Sequence, residues 1–334
     1  MAKLNEIYNR LVVSHGADAG ADRDFYFVDQ TGNNSSLHVG LSPERSPSIL
    51  VKGQAGDSHV KPPKQLTGIK VEFGKECLVC DNSDAINNGV FNIISCVEDD
   101  LNLTNFFFEF FERYFLTAEN IGAQSLKVEI DNLSKLFSHR KKKALKTVMG
   151  LWSELYIIST AKRPDVWAQK WHEQTKSTFD FSFSKIGIDV KCFGGSARKH
   201  FFKLEQLENP TVEQTLILSM CLNEDEGGPN VFDLLSEIKK SLGSRELQGK
   251  LERQVFELAG KEITNAKRFN KNVARESLII LHGSEIPSLD PSHTPLGVSE
   301  IKFRSDCSGI SGLYFDEENQ KLITDNSIIP LTQR

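Results

Sequence analysis

The first third of the chain alternates apolar and polar residues in short runs. "RDFYFVD", "SSLHVGLS", "PSILVKG", "GIKVEFG" and "GVFNIISCVED" each carry the two-residue period of a strand, and turn-forming stretches such as "TGNNSS" and "SPERSPS" separate them. The pattern predicts a β-rich domain over residues 1–118 that ends in a helix at "LNLTNFFFEFFERYFLTAEN", with Thr104 or Asn105 as the cap. The aromatic residues from Phe106 to Phe115 read as core of that helix, because base-stacking platforms sit on exposed sheet faces or loops.

The period changes over residues 119–225. A helix is expected at "KALKTVMGLWSELYIISTA", a short strand at "DVWAQKWH" and a hairpin over 178–193. "RKHFFKLEQLEN" then leads into a short helix, and "EQTLILSMCL" reads as a buried strand. The order αβββαβ predicts an α/β (α+β) core, a mixed sheet flanked by helices. Residues 226–334 form an α/β C-terminal region expected to pack on that core. Its helices are "NVFDLLSEIKKSLG" and "RELQGKLERQVFELAG", and its strands are "SLIILHGSE", "VSEIKFRSD", "GLYFDE" and "KLITDNS". No repeat period and no low-complexity tract interrupts the sequence.

Composition adds bounds. At 334 residues the chain is long enough for two or three domains with a real core, and no apolar run reaches the length of a membrane span. The N-terminus lacks the apolar stretch of a signal peptide, and six scattered cysteines fit free thiols in a reducing cytoplasm. Cys77 and Cys80 have CxxC spacing, but no second ligand pair follows, so they read as apolar strand residues. A net charge of −5 neither announces nor excludes a nucleic-acid partner, because local patches set such contacts.

The hairpin holds the candidate chemistry. In "FDFSFSKIGIDVK", a two-residue turn at Ser184–Lys185 would set Asp180 directly opposite Asp189, with Lys191 two residues along on the same face. Opposed acids among Phe179, Phe181, Phe183, Ile188 and Val190 repel, and a divalent cation, a shared proton or the lysine must compensate. Glu154 falls inside the apolar stripe of Leu151, Leu155 and Ile158, where a carboxylate also needs a partner. A buried ion pair of Glu154 with Lys191, without metal, is the structural alternative.

The helix "GLWSELYI", then "FDFSF" and "IGIDVK", resemble the PD-(D/E)XK nuclease superfamily over about residues 145–222. The "RKHFFKLEQL" segment is similar to a subset of restriction endonucleases from bacterial defence loci. The resemblance implies a Mg²⁺-dependent endodeoxyribonuclease, with Mn²⁺ as a substitute, acting in restriction or phage defence. It implies Asp180, Asp189 and Glu154 as metal ligands, with the Val190 carbonyl a further one, and Lys191 as the residue acting on the attacking water. Gln206 is an accessory candidate. Pro164–Asp165 is the literal "PD" and makes Asp165 the alternative to Asp180. Phosphate contacts are expected from Arg140, Lys141, Lys142 and Lys143 and from Arg198, Lys199 and His200, with "KRFNKNVAR" a third basic run. DNA is the implied partner, with a methyltransferase or helicase of the same system and a second copy of the chain as further ones. The alternative is an inactive member of the fold that binds DNA or assembles a defence complex. An interaction protein whose buried charges only fix packing is a third reading.

Overall fold

The computed structural model describes residues 4–15, 25–31, 34–63, 66–81, 85–117, 121–138, 146–173, 178–207, 209–260, 267–293, 295, 297–298 and 300–330. The chain forms two compact units, residues 1–142 and 143–334. The division falls later than the 118/119 boundary expected from pattern, and residues 226–334 share a unit with the hairpin.

In the first unit, helix α1 (Leu4–His15) precedes strands β1 (Phe25–Thr31), β2 (Asn34–Leu41), β3 (Pro47–Lys52), β4 (Ile69–Cys80) and β5 (Ile86–Cys96). The strands close into a barrel in the order β1-β2-β3-β5-β4, sealed by a parallel pairing of β1 with β4. Tyr26, Val28, Leu50, Cys77, Val79, Phe91 and Ile93 cluster as part of its core. Cys77 and Cys80 are buried on β4, where the Cys80 thiol donates to Asp81 O at 3.8 Å. Helices α2 (Leu101–Thr117) and α3 (Ala123–Ser138) complete the unit, and Phe106, Phe107, Phe108, Phe110 and Phe111 are buried, as core residues should be.

The second unit is built on a five-stranded sheet. Its elements are α4 (Val148–Thr160), α5 (Pro164–Lys170), β6 (Phe181–Ser182), β7 (Ile186–Phe193), β8 (Lys199–Lys203), α6 (Leu204–Leu207) and β9 (Gln214–Cys221). There follow α7 (Val231–Ser241), α8 (Arg245–Ala259), α9 (Lys271–Ser277), β10 (Ile279–His282), β11 (Lys302–Asp306), β12 (Leu313–Tyr314) and α10 (Glu317–Thr324). The sheet order is β12-β10-β9-β7-β6, with β7 and β9 parallel and the other neighbours antiparallel. Strands β8 and β11 form a separate two-stranded ribbon.

Two expected strands are helices. "DVWAQKWH" lies mostly in α5, where Pro164 takes the first turn and Trp167 and Ala168 are buried; only Trp171 makes a bridge, to Phe181. "KLITDNS" lies largely in α10, because the Asp316 side chain accepts from Asn319 N–H and nucleates a helix. Helix α4 is buried all round rather than on one stripe, from Val148 and Leu151 through Ile158.

The hairpin has the register that a two-residue loop dictates. Phe181 pairs with Ile188 and Ser182 with Gly187, and Phe183 N–H donates to Ile186 O at 2.9 Å. One step back, Asp180 N–H donates to Ile188 O at 2.9 Å, which sets Asp180 beside Asp189. Gly187 permits this arrangement: a Cβ there would stand 2.3 Å from the Phe179 ring. Gly187→Ala is therefore expected to lower unfolding free energy by about 1–3 kcal/mol through overpacking. Urea denaturation checks it, and an unchanged midpoint would show that Phe179 yields without cost.

Candidate functional site

Three elements deliver acids to one place. Thr147 caps α4 by accepting from Gly150 N–H, which fixes where the helix starts and sets Glu154 on its second turn. Glu154 is only 1% exposed, and Asp180 and Asp189 are also buried. Asp180 is held by the hairpin: Val190 N–H donates to its Oδ2 at 2.7 Å, and its carbonyl accepts from His172 N–H at 2.9 Å. The last contact brings in a histidine. His172 Nε2 lies 2.9 Å from Glu154 Oε2 and 3.9 Å from Asp180 Oδ1. Its backbone is left-handed, with φ 41°, a conformation that marks a locally constrained position.

The cations inside the cluster are lysines. The Lys146 ammonium bridges Glu154 Oε1 and Asp180 Oδ1. Its backbone N–H is tied to Leu258 O at 3.0 Å, just ahead of the α4 cap. Trp171 Nε1 donates to Glu154 Oε2 at 2.9 Å. A step away, Lys191 Nζ lies 2.6 Å from Asp189 Oδ2, and Gln206 Nε2 donates to Asp189 Oδ1 at 3.2 Å.

Electrostatics separates the two hairpin acids. Burial alone would raise the pKa of Asp180, but the Lys146 charge and hydrogen bond, the Val190 N–H and His172 outweigh it and hold the carboxyl below the usual range. Asp189 goes the other way. Burial pushes it up, Lys191 opposes, the Asp180 charge adds to the rise, and the carboxyl is pushed up to about 7. Burial works against the Lys146 ammonium, yet Glu154 and Asp180 hold its pKa above the ordinary lysine value.

The residues fit a divalent cation. Glu154, His172 and Asp180 each offer a ligand atom, and these atoms lie within 4.8 Å of one another. A lysine ammonium already bridges two of them, so the position calls for positive charge. Asp189 lies outside that three-residue group, paired with Lys191 and Gln206. Asp165 stands in the first turn of α5, half-exposed and 3.8 Å from Arg163 Nη2.

The expected phosphate contacts divide. Arg140, Lys141, Lys142 and Lys143 lie outside the described residues. His200 is buried: its Nε2 lies 2.7 Å from Ser219 Oγ, and burial with Lys191 and Arg198 nearby pushes its pKa down to about 4, so the structure does not present it to a DNA backbone. Arg198 is also taken inward. Its guanidinium donates to Ser219 O and Ser277 O, both at 2.8 Å. Lys199 is exposed, 3.3 Å from Asp306. The sequence reading missed Lys146 and His172. Lys146 closes a basic run and carries no mark of its own, whereas His172 follows an apolar Trp at the end of α5.

Residues 4–308 match the family described as "Putative PD-(D/E)XK family member" (DUF4420). The chain belongs to this family. No curated protein and no solved structure matches it significantly. Among the described residues no helix is long and apolar enough to cross a membrane. The family bears on the acids directly, because PD-(D/E)XK nucleases typically use divalent metals and the group of Glu154, His172 and Asp180 is one that could hold an ion.

Two outcomes follow from this charge balance. Lys146→Met removes the ammonium and leaves two buried carboxylates facing each other. The expected loss of stability at pH 7 is about 3–5 kcal/mol, shrinking in acid as a proton replaces the lysine. For Asp189 the sign is set by its raised pKa: the folded state binds the extra proton, so stability falls as pH rises from the unfolded value, roughly 4, through about 7. Asp189→Asn should remove that slope in denaturation curves taken from pH 4.5 to 8. An unaltered slope would mean that Asp189 is ionised throughout.

Proposed function

We propose that the protein is a metal-dependent DNA endonuclease that hydrolyses phosphodiester bonds, a restriction or anti-phage defence effector. What supports the reading is one observation: Glu154 of α4 and Asp180 and Asp189 of the hairpin are buried and, with the partly exposed Lys191 against Asp189, follow one another in the order of the PD-(D/E)XK pattern that the sequence resembles. The defence role rests on the resemblance of the "RKHFFKLEQL" segment.

Glu154 and Asp180, with His172 beside them, would hold the first cation, Mg²⁺ or Mn²⁺. Asp189 and the Val190 carbonyl would be the further ligands on the hairpin side. A bound divalent cation lowers the pKa of a coordinated water and neutralises charge that builds on the phosphate. Lys191, as an ammonium, would orient that water and stabilise the charge of the pentavalent transition state, while the water's proton would pass to solvent. Water oxygen bonds to phosphorus, the ester P–O bond breaks, and the leaving oxygen takes up a proton. Gln206 fixes the Asp189 carboxylate through its 3.2 Å hydrogen bond. Lys146 bridges Glu154 and Asp180, and a divalent cation held by these two acids would take over that neutralising role.

The inactive, DNA-binding reading of the same fold is separated by one variant. Lys191→Ala is expected to abolish Mg²⁺-dependent cleavage of plasmid or phage DNA with DNA binding nearly intact; Asp189 loses its counter-charge and takes up a proton instead, so thermal melting is measured alongside to confirm that the variant is folded. Wild-type protein that binds DNA without cutting it in Mg²⁺ or Mn²⁺ would favour the inactive reading, and full activity in Lys191→Ala would remove the assignment. Metal binding has its own readout. In calorimetric titration with Mn²⁺, Asp180→Asn should lose binding and Lys146→Met should bind more tightly than wild type, because no ammonium has to leave. Equal affinity in all three proteins would place the metal elsewhere.

A further inference from the structure

We propose that the outward face of the β8–β11 ribbon binds a single, unpaired DNA strand, with Phe201 as the platform on which a base stacks. The proposal extends the nuclease reading by saying where substrate lies, and its test reads binding without cleavage.

The ribbon is amphipathic by register. Phe202 pairs with Phe303 and His200 with Ser305, and this set faces inward, where Phe202 joins Leu207, Ile217, Leu281, Ile286 and Cys307 in a core cluster with Phe303 packed against it. The alternate set faces out: Lys199, Phe201 and Lys203 on β8, and Lys302, Arg304 and Asp306 on β11 are all exposed. Phe201 is 55% exposed, so this aromatic ring does not serve the core. Lys302 Nζ lies 5.0 Å and the Arg304 guanidinium carbon 5.5 Å from its ring centroid.

Four cations and one aspartate on one small face make a basic patch in a chain whose net charge is −5. An exposed aromatic among cations is the combination that holds single strands: the ring takes the face of a base, and the cations take the phosphates on either side. A duplex offers no free base face, so the ring selects an unpaired strand. The ribbon also adjoins the reacting groups. β8 runs straight into α6, whose Gln206 donates to Asp189 at 3.2 Å, and on the inward side the Phe202 ring centroid is 5.5 Å from Lys191 Nζ.

The test is fluorescence anisotropy on the full chain in EDTA, with a labelled thymidine homopolymer of about twenty nucleotides and a duplex of the same length. Phe201→Ala should weaken single-strand binding about tenfold and leave the salt dependence unchanged, and Phe201→Trp should restore it. Lys302→Ala with Arg304→Ala should flatten the slope of log affinity against log salt by roughly 0.7 per lost contact. Thermal melting of all variants should match wild type, because every side chain changed points outward. Single-strand affinity unmoved by both variants would overturn the proposal. So would equal losses on duplex and single strand, or binding of polyglutamate as tight as that of DNA. Loss of cleavage in Lys191→Ala with Phe201-dependent binding intact keeps the two readings apart: either can fail without the other.

Discussion

The buried carboxylates govern the second unit. Glu154, Asp180 and Asp189 come from a helix and a hairpin whose backbones are fixed by packing, and burial of an unpaired carboxylate is expensive. The fold meets that constraint with Lys146 and Lys191, which reach in on flexible stems. Acids on rigid elements and cations on flexible ones form an asymmetric arrangement. The negative side of the site is preorganised, and the positive side is exchangeable. The Thr147 cap and the Lys146–Leu258 backbone bond place the lysine just before α4, so the helix that supplies one acid also sets where its counter-charge enters.

Much of this was legible because its signals are local. The alternation of Phe179, Phe181 and Phe183 with polar residues and the short "SK" link fix a hairpin register, and the register alone brings Asp180 beside Asp189. Glu154 stood out because a charged residue in an apolar run is anomalous wherever the run folds. What escaped was non-local. His172 reaches the site through a backbone bond to Asp180 and a left-handed turn, and Lys146 through chain entry into α4. The pairing of β8 with β11 spans a long stretch of sequence, which no periodic pattern announces. Of the two strands misjudged as such, α5 did carry a sign: Pro164 in the first helical turn and Trp167 and Trp171 at helical spacing.

Strand geometry explains why the basic run at 198–203 divides. On a strand, neighbouring residues point to opposite faces, so "RKHFFK" cannot present all its cations together. Arg198 and His200 go inward to Ser219, while Lys199 and Lys203 go outward with Phe201 between them. A run of charges read as one patch is thus two half-patches. The half that matters to a ligand gains its partners, Lys302 and Arg304, from a strand about a hundred residues away.

The donor set bears on which cation the site would prefer. Mg²⁺ takes oxygen ligands, keeps several of its waters and demands near-octahedral geometry. Glu154 and Asp180 with His172 make a mixed oxygen–nitrogen group, and an imidazole nitrogen suits Mn²⁺ and later first-row ions better than it suits Mg²⁺. Asp189, with Gln206 on one oxygen and Lys191 on the other, is oxygen-only and closer to the Mg²⁺ type. The two hairpin acids therefore face different partners as well as different pKa values. Asp180 is ionised and bound into the helix side, whereas Asp189 sits near the proton-exchange range beside the lysine that would handle the water. One cation on the Glu154–His172–Asp180 side would add positive charge next to Asp189 and so favour its ionised form.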